Sequence, residues 1–212
     1  MLWEELFNVN TLLNDYDIEY RELINLRRSA IEKRQTEEDH YRHELKNLPK
    51  YEYQIESAKT MLRKIKAELE WLNKFPVEQL TNEQKIRKSQ LEKFRYSALT
   101  ELRDGKTYYR MAHRNIKLYK PRFHSARNEE AVMRQINSWV YQQTINYVKE
   151  SGIIDEKFLK QPLAVRQSKL MIMQWESPVH LKVYSGEGCD TKIYEVEVYG
   201  TTKTFFADIR YY

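Results

Sequence analysis

The sequence predicts an α+β protein that is mostly α. Its parts are a long heptad-patterned helical hairpin or three-helix bundle, one further helix, and a small C-terminal three-stranded antiparallel sheet. Three observations carry this. Glycine and proline supply only five residues each among 212, about 5% where about 12% is usual, which excludes a sandwich, propeller or barrel of many short strands. Apolar residues recur at alternating steps of four and three in the N-terminal half, whereas the C-terminal strand candidates alternate with a period of two. Finally, 41% hydrophobic and 32% charged residues leave enough apolar side chain for a core but favour long elements with solvated faces.

The first stripe runs through Leu2, Leu6, Val9, Leu13, Tyr16, Tyr20 and Leu23 and reads as one face of a helix that Pro49 closes. A second stripe, Tyr51, Ile55, Ala58, Leu62, Ile65, Leu69 and Leu72, keeps the four-three rhythm unbroken and predicts a helix over about 50–74. Phe75-Pro76 ends it, because proline disfavours helical geometry in the residue before it. Thr81-Asn-Glu-Gln84 reads as a capping box that opens a third helix. Its inner face is Leu91, Phe94, Ala98 and Leu102, and Gly105 is placed to cap its end. These stripes fold back within one chain or pair between chains, since both bury the same residues.

From 106 to 124 no clean period is visible and Pro121 interrupts, so the segment reads as a loop with irregular helix or strand. A fourth helix is expected from Ser125, with Glu129 and Glu130 near its positive end. Its inner face is Val132, Ile136, Trp139, Val140, Gln143 and Tyr147, and Ser151-Gly152 ends it. A short helical piece is expected around Glu156 to Leu159, while Leu163 to Trp175 fits helix and strand alike. Alternation around Val179-Leu181-Val183, Tyr194-Val196-Val198 and Phe205-Ala207-Ile209-Tyr211 gives three strands joined by short turns. The aromatics Phe205, Phe206, Tyr211 and Tyr212 suggest a docked terminus rather than a frayed one. The domain reading is therefore 1–105 helical hairpin or coiled coil, 106–124 basic aromatic connector, and 125–212 helix plus antiparallel docking domain.

Charge is unevenly spread. The net +5 conceals a segment from Arg103 to Arg127 with eight basic residues and one acid, leaving the remainder at −2. The candidate site for nucleic acid or an acidic partner is Arg103, Lys106, Tyr108, Tyr109, Arg110, Arg114, Lys117, Tyr119, Lys120, Arg122, Phe123 and Arg127. Cations neutralise phosphates and release counterions, and interleaved rings stack on exposed bases, which suits RNA or single-stranded DNA. A basic loop docks equally on an acidic protein.

The alternatives for chemistry are weak. Glu37 and His40 form one Glu-x-x-His pair, where a carboxylate-bridged metal site needs two and further glutamates. Cys189 is the single cysteine, with no histidines at zinc spacing, so neither a disulfide nor a structural zinc is expected. Cys189, Ser185 and His180 lie near one another in sequence, but nothing orders them as a triad. Asp190, Lys192, Glu195 and Glu197 resemble a metal-nuclease set, yet they alternate as any amphipathic strand would. The five glycines form no phosphate loop.

The reading is a non-enzymatic structural or adaptor subunit of a larger assembly, of virion-connector or ribonucleoprotein type, with no cofactor. Its partners are other protein subunits, copies of itself included, with RNA or single-stranded DNA as the alternative and no membrane. An autonomous nucleic-acid-binding regulator and a metal-dependent nuclease are the rival functions. Sixteen tyrosines favour interfaces, since tyrosine gives large contact area at small rotamer cost. An acidic N-terminus without a basic leader and the absence of an apolar run of about 18 residues point to an intracellular or virion location without a signal peptide.

Overall fold

The computed structural model describes residues 10–186 and 190–209. The order is strand β1 (Asn10–Glu19), helix α1 (Tyr20–Leu72), a 3-10 turn (Val77–Gln79), helix α2 (Asn82–Glu150), helix α3 (Glu156–Leu159), helix α4 (Leu163–Trp175), and strands β2 (Pro178–Gly186), β3 (Thr191–Val198) and β4 (Thr201–Asp208). The class is α+β, mostly α. Two compact units divide the chain along other lines than 1–105, 106–124 and 125–212. One joins Met1–Glu38 with Lys120–Tyr212, and the other is Asp39–Tyr119.

The first unit is built on an antiparallel sheet of order β1-β2-β3-β4. It has four strands, not three, because the segment expected to open the first helix is β1. Leu2, Leu6 and Val9 lie outside the described residues. Leu13 and Tyr16 belong to the strand, and only Tyr20 and Leu23 are helical. A second period competes there: Tyr16 and Ile18 point inward while Asp15 and Asp17 are exposed, and β2 supplies a complete ladder from Thr11↔Ser185 to Glu19↔Pro178. The register shifts between Leu12 and Asn14, and the extra residue, Leu13, is left exposed.

One face of the sheet is apolar. Val179, Leu181, Val183, Tyr194, Val196, Val198, Phe205 and Ala207 pack on Tyr20, Leu23 and Ala30 of α1 and on Val132, Met133, Ile136 and Val140 of α2. Phe205 meets Trp139 edge-on at 5.9 Å between centroids, whereas Phe206 points to the other face and is exposed. Tyr211, Tyr212 and Cys189 fall outside the described residues. The β3–β4 connection is a two-residue turn, with Val198 opposite Thr201 and both Tyr199 (φ 49) and Gly200 (φ 73) in the left-handed region. Tyrosine is costly there. It is held by face-to-face stacking on Tyr147 at 3.8 Å and by its hydroxyl donating to Ser177 Oγ at 3.0 Å.

The second unit is a helical hairpin. On α1, Ile55, Ala58, Ile65, Leu69 and Leu72 are buried, and Tyr51 and Leu62 half-buried. Leu80 and Leu91 close the cluster at the Leu72 end. The capping box forms as expected: Thr81 N–H donates to Gln84 Oε1 at 2.9 Å, and Gln84 N–H donates to Thr81 Oγ1 at 3.2 Å.

Three expected breaks do not occur. Pro49 lies inside α1, and Gly105 and Pro121 lie inside α2. An interior proline removes one hydrogen bond and costs about 3 kcal/mol, which long packed stripes on either side offset. Gly105 is no cap: a Cβ there would lie 3.2 Å from Ile55 Cγ1, so glycine serves close helix approach. It continues a seam of Leu91, Ala98 and Ala112, spaced seven apart. The connector at 106–124 is therefore helix, and no helix starts at Ser125. Glu129 and Glu130 accordingly meet no helix N-terminus; they pair with side chains instead. Leu163–Trp175 resolves as helix, and Glu156–Leu159 is helical with Asp155 capping Phe158 N–H at 2.7 Å.

Candidate functional site

Helical geometry reorganises the basic segment. At 100° per residue, Arg103, Lys106, Arg110, Arg114 and Lys117 fall within about 80° of one another, roughly 140° from the Ala98-Gly105-Ala112 seam. All five are exposed. Arg103 Nε lies 3.3 Å from Asp104 Oδ1, and Lys106 and Arg110 border a shallow groove with Glu52 and Glu56. Among the described residues, Lys106, Arg110, Arg114 and Lys117 make no ion pair or side-chain hydrogen bond. The unit Asp39–Tyr119 holds eighteen basic and eleven acidic residues, a net +7, while the rest of the chain nets −2.

The aromatics expected beside these cations divide. Tyr108 stacks on Tyr51 at 5.7 Å and stays half-exposed, and Tyr119 lies 5.1 Å from His40, both on the side of α2 away from the stripe. Tyr109 contacts His113 edge-on at 4.5 Å and lines the same groove as Lys106 and Arg110, so of the three rings it alone lies beside the stripe. Lys120, Arg122, Phe123 and Arg127 belong to the sheet unit. There Lys120, Arg122 and Arg127 are exposed, and Phe123 contacts His124 at 5.4 Å. The signal that groups the first five is present in the sequence as steps of 3, 4, 4 and 3 between cations, a helical period carried by charged rather than apolar residues.

A second group of charges sits inside the sheet unit. Glu129 accepts from Lys33 Nζ and Lys192 Nζ, both at 2.7 Å, and from Tyr194 Oη at 3.0 Å. Burial opposes its charge, but the two lysines outweigh burial and hold the carboxyl down at about 2. Burial, reinforced by the Glu129 charge, pushes the Tyr194 phenol up. Next to it, Glu130 accepts from Arg34 Nε at 2.6 Å and from Arg134 at 2.8 Å, and Arg34 also pairs with Glu38. A small cavity of about 260 Å³ adjoins Glu129, walled by Leu26, Met133, Leu181 and Val183. Glu130–Arg134 and Arg34–Glu38 are i,i+4 pairs, but no sequence pattern announces the pairs of Glu129 with Lys33 and Lys192 or of Glu130 with Arg34, which join segments distant along the chain.

The residues considered for catalysis are drawn apart or already engaged. Lys192 faces the helices while Glu195 and Glu197 lie on the opposite side of β3, where Glu195 approaches Lys182 at 4.0 Å. His180 lies between two carboxylates of β1, with Nε2 3.1 Å from Asp15 and Nδ1 2.5 Å from Asp17, beside an open acidic cleft that includes Glu22, Glu176 and Glu197. Among the described residues, no three histidines, cysteines or carboxylates are arranged to hold a metal, and no helix is long and apolar enough to cross a membrane. Comparison with protein families, curated proteins and solved structures gave no match to this chain.

Proposed function

We propose that the protein is a non-enzymatic structural or adaptor subunit whose hairpin grips a polyanion, nucleic acid first, while its sheet unit docks in a larger assembly. One observation carries this: five cations on one solvent face of α2, four of them unpaired among the described residues, in a unit of net +7. Some surface cations elsewhere in the chain are matched, as Arg87 is by Glu68 at 2.7 Å and 3.0 Å; what distinguishes the stripe is that its cations share one face of one helix. Unmatched cations in a row raise the local potential and gain most when they meet phosphates and release counterions. Because Tyr109 alone of the three tyrosines borders the stripe, the reading favours contact with the phosphate backbone over an extended base-stacking surface. The non-enzymatic part is supported by Glu129, which is tied to Lys33 and Lys192, and by His180, whose two ring nitrogens are both taken up by Asp15 and Asp17.

Fluorescence anisotropy with labelled duplex DNA, single-stranded DNA and RNA at several salt concentrations tests it. Five phosphate contacts predict a slope of log K against log salt of about −4.5 on duplex, and Arg110→Ala or Arg114→Ala lowers its magnitude by about 1. Binding to none of the three, or binding whose salt slope is unchanged in both variants, would exclude the stripe as a nucleic-acid interface.

A further inference from the structure

Helix α4 presents an apolar surface that the described residues of the sheet unit leave uncovered. Its thirteen residues include none that is buried. The inner side is formed by the half-buried Arg166, Leu170, Met173 and Gln174, with Gln174 hydrogen-bonded to the Tyr20 side chain. On the outer side, Ala164, Ser168, Met171 and Trp175 fall within about 60° of one another, and Val165 and Ile172 widen the stripe to about 120°. All six are exposed, Met171, Ile172 and Trp175 by nearly half. Ser168 is its single polar member. A 13-residue helix is marginal by itself and is stabilised chiefly by packing of its apolar face, so a stripe this wide is suited to a partner.

The order of sizes along the stripe identifies the occupant. Small residues, Ala164 and Ser168, occupy the N-terminal half, and large ones, Met171 and Trp175, the C-terminal half. A second α4 running antiparallel about a two-fold axis between Lys169 and Leu170 sets Ala164 opposite Trp175 and Ser168 opposite Met171 with the same axis. Each large side chain meets a small one, the relation a closed isologous interface requires. Parallel pairing would set Trp175 against Trp175 and leave a gap at Ala164.

We infer that the outer face of α4 is a self-association surface, on which two copies of this chain pair through antiparallel α4 helices. The inference rests on the proposed docking role of the sheet unit, to which it adds self-association, and is independent of the nucleic-acid reading of the hairpin. An interface of one short helix from each copy is small, so the dimer is weak, with a dissociation constant in roughly the micromolar range.

The test is sedimentation velocity of the full chain over a range of concentrations, with circular dichroism to confirm that each variant is folded. Ala164→Trp overfills one side and Trp175→Ala empties the other, so each weakens the dimer by about tenfold. The double variant, Ala164→Trp with Trp175→Ala, restores the size match and returns the affinity to within about threefold of the parent, a coupling that only direct contact produces. Three results would overturn the inference. A parent chain that stays monomeric throughout removes self-association altogether. A dimer indifferent to both single changes keeps self-association and moves it off α4. Binding to phosphatidylcholine–phosphatidylglycerol vesicles that Trp175→Ala abolishes and the double variant does not rescue makes the stripe a lipid-facing helix.

Discussion

The sheet unit and the hairpin unit use the same ingredients in opposite ways. In the sheet unit, two helical segments cover one face of four strands, and Leu23, Ile136, Val140, Leu181 and Val196 are almost fully buried. Charge near that core is turned inward and matched, as at Glu129 between Lys33 and Lys192. In the hairpin, the interior is a seam narrow enough to need Ala98, Gly105 and Ala112, and the unmatched charge faces water. Matched inward charge fixes geometry, whereas unmatched outward charge is available to a partner. The contrast is what the proposed division of labour, holding by one unit and gripping by the other, is drawn from.

The largest effect expected from this contrast is at Ile136, which has no exposed surface. Ile136→Ala leaves a cavity between sheet and helices and destabilises by about 3–4 kcal/mol, measured by urea denaturation with near-ultraviolet circular dichroism. A loss below about 1 kcal/mol would mean that the core tolerates collapse and that the sheet unit is not the rigid partner.

The next effect is at Glu129. Its carboxyl stands at about 2 when folded against an ordinary 4.5, so it contributes stability above pH 4.5 that is lost as pH falls towards 2. The difference corresponds to about 3 kcal/mol. Glu129→Gln removes this contribution, flattens the acid limb of the stability profile over that interval, and leaves Lys33 and Lys192 facing each other without an anion. An unchanged acid limb in the variant would assign the limb to other carboxylates.

A smaller cost, about 2 kcal/mol from overpacking, is expected for Gly105→Leu. Hydrogen exchange should show it as faster opening around Ile55 with little change in β2 and β3. Opening that spreads equally into the strands would mean that the two units unfold together. Least of all, Arg114→Ala should change thermal stability by under about 0.5 kcal/mol, since the side chain has no partner to lose. Its effect belongs in nucleic-acid affinity.

The candidate site was legible in part. Eight cations against one acid marked the segment, and exposed charge needs no tertiary knowledge to detect. Their grouping required knowing that 103–117 is helix, which Gly105 and Pro121 obscured: both residues break isolated helices, and nothing local says that a neighbouring helix will approach closely enough to need a glycine. The reading of Tyr108, Tyr109 and Tyr119 as stacking platforms differs from their placement because their partners, Tyr51, His113 and His40, compete for the same rings. The pairs of Glu129 with Lys33 and Lys192 and of Glu130 with Arg34 escaped for another reason, since they link positions 63 to 96 residues apart.

By itself the sequence determined the mostly helical class, the α1 stripe from Tyr51 to Leu72, the capping box at Thr81 and the three strands after Pro178, because period and hydrogen-bonding side chains act over a few residues. Tertiary structure alone decided that Asn10–Glu19 is a strand, that both long helices run through their prolines, and which charges are inward or free. Those outcomes depend on a partner surface far along the chain. For β1, the ladder offered by β2 outweighs a local pattern that fits helix and strand alike.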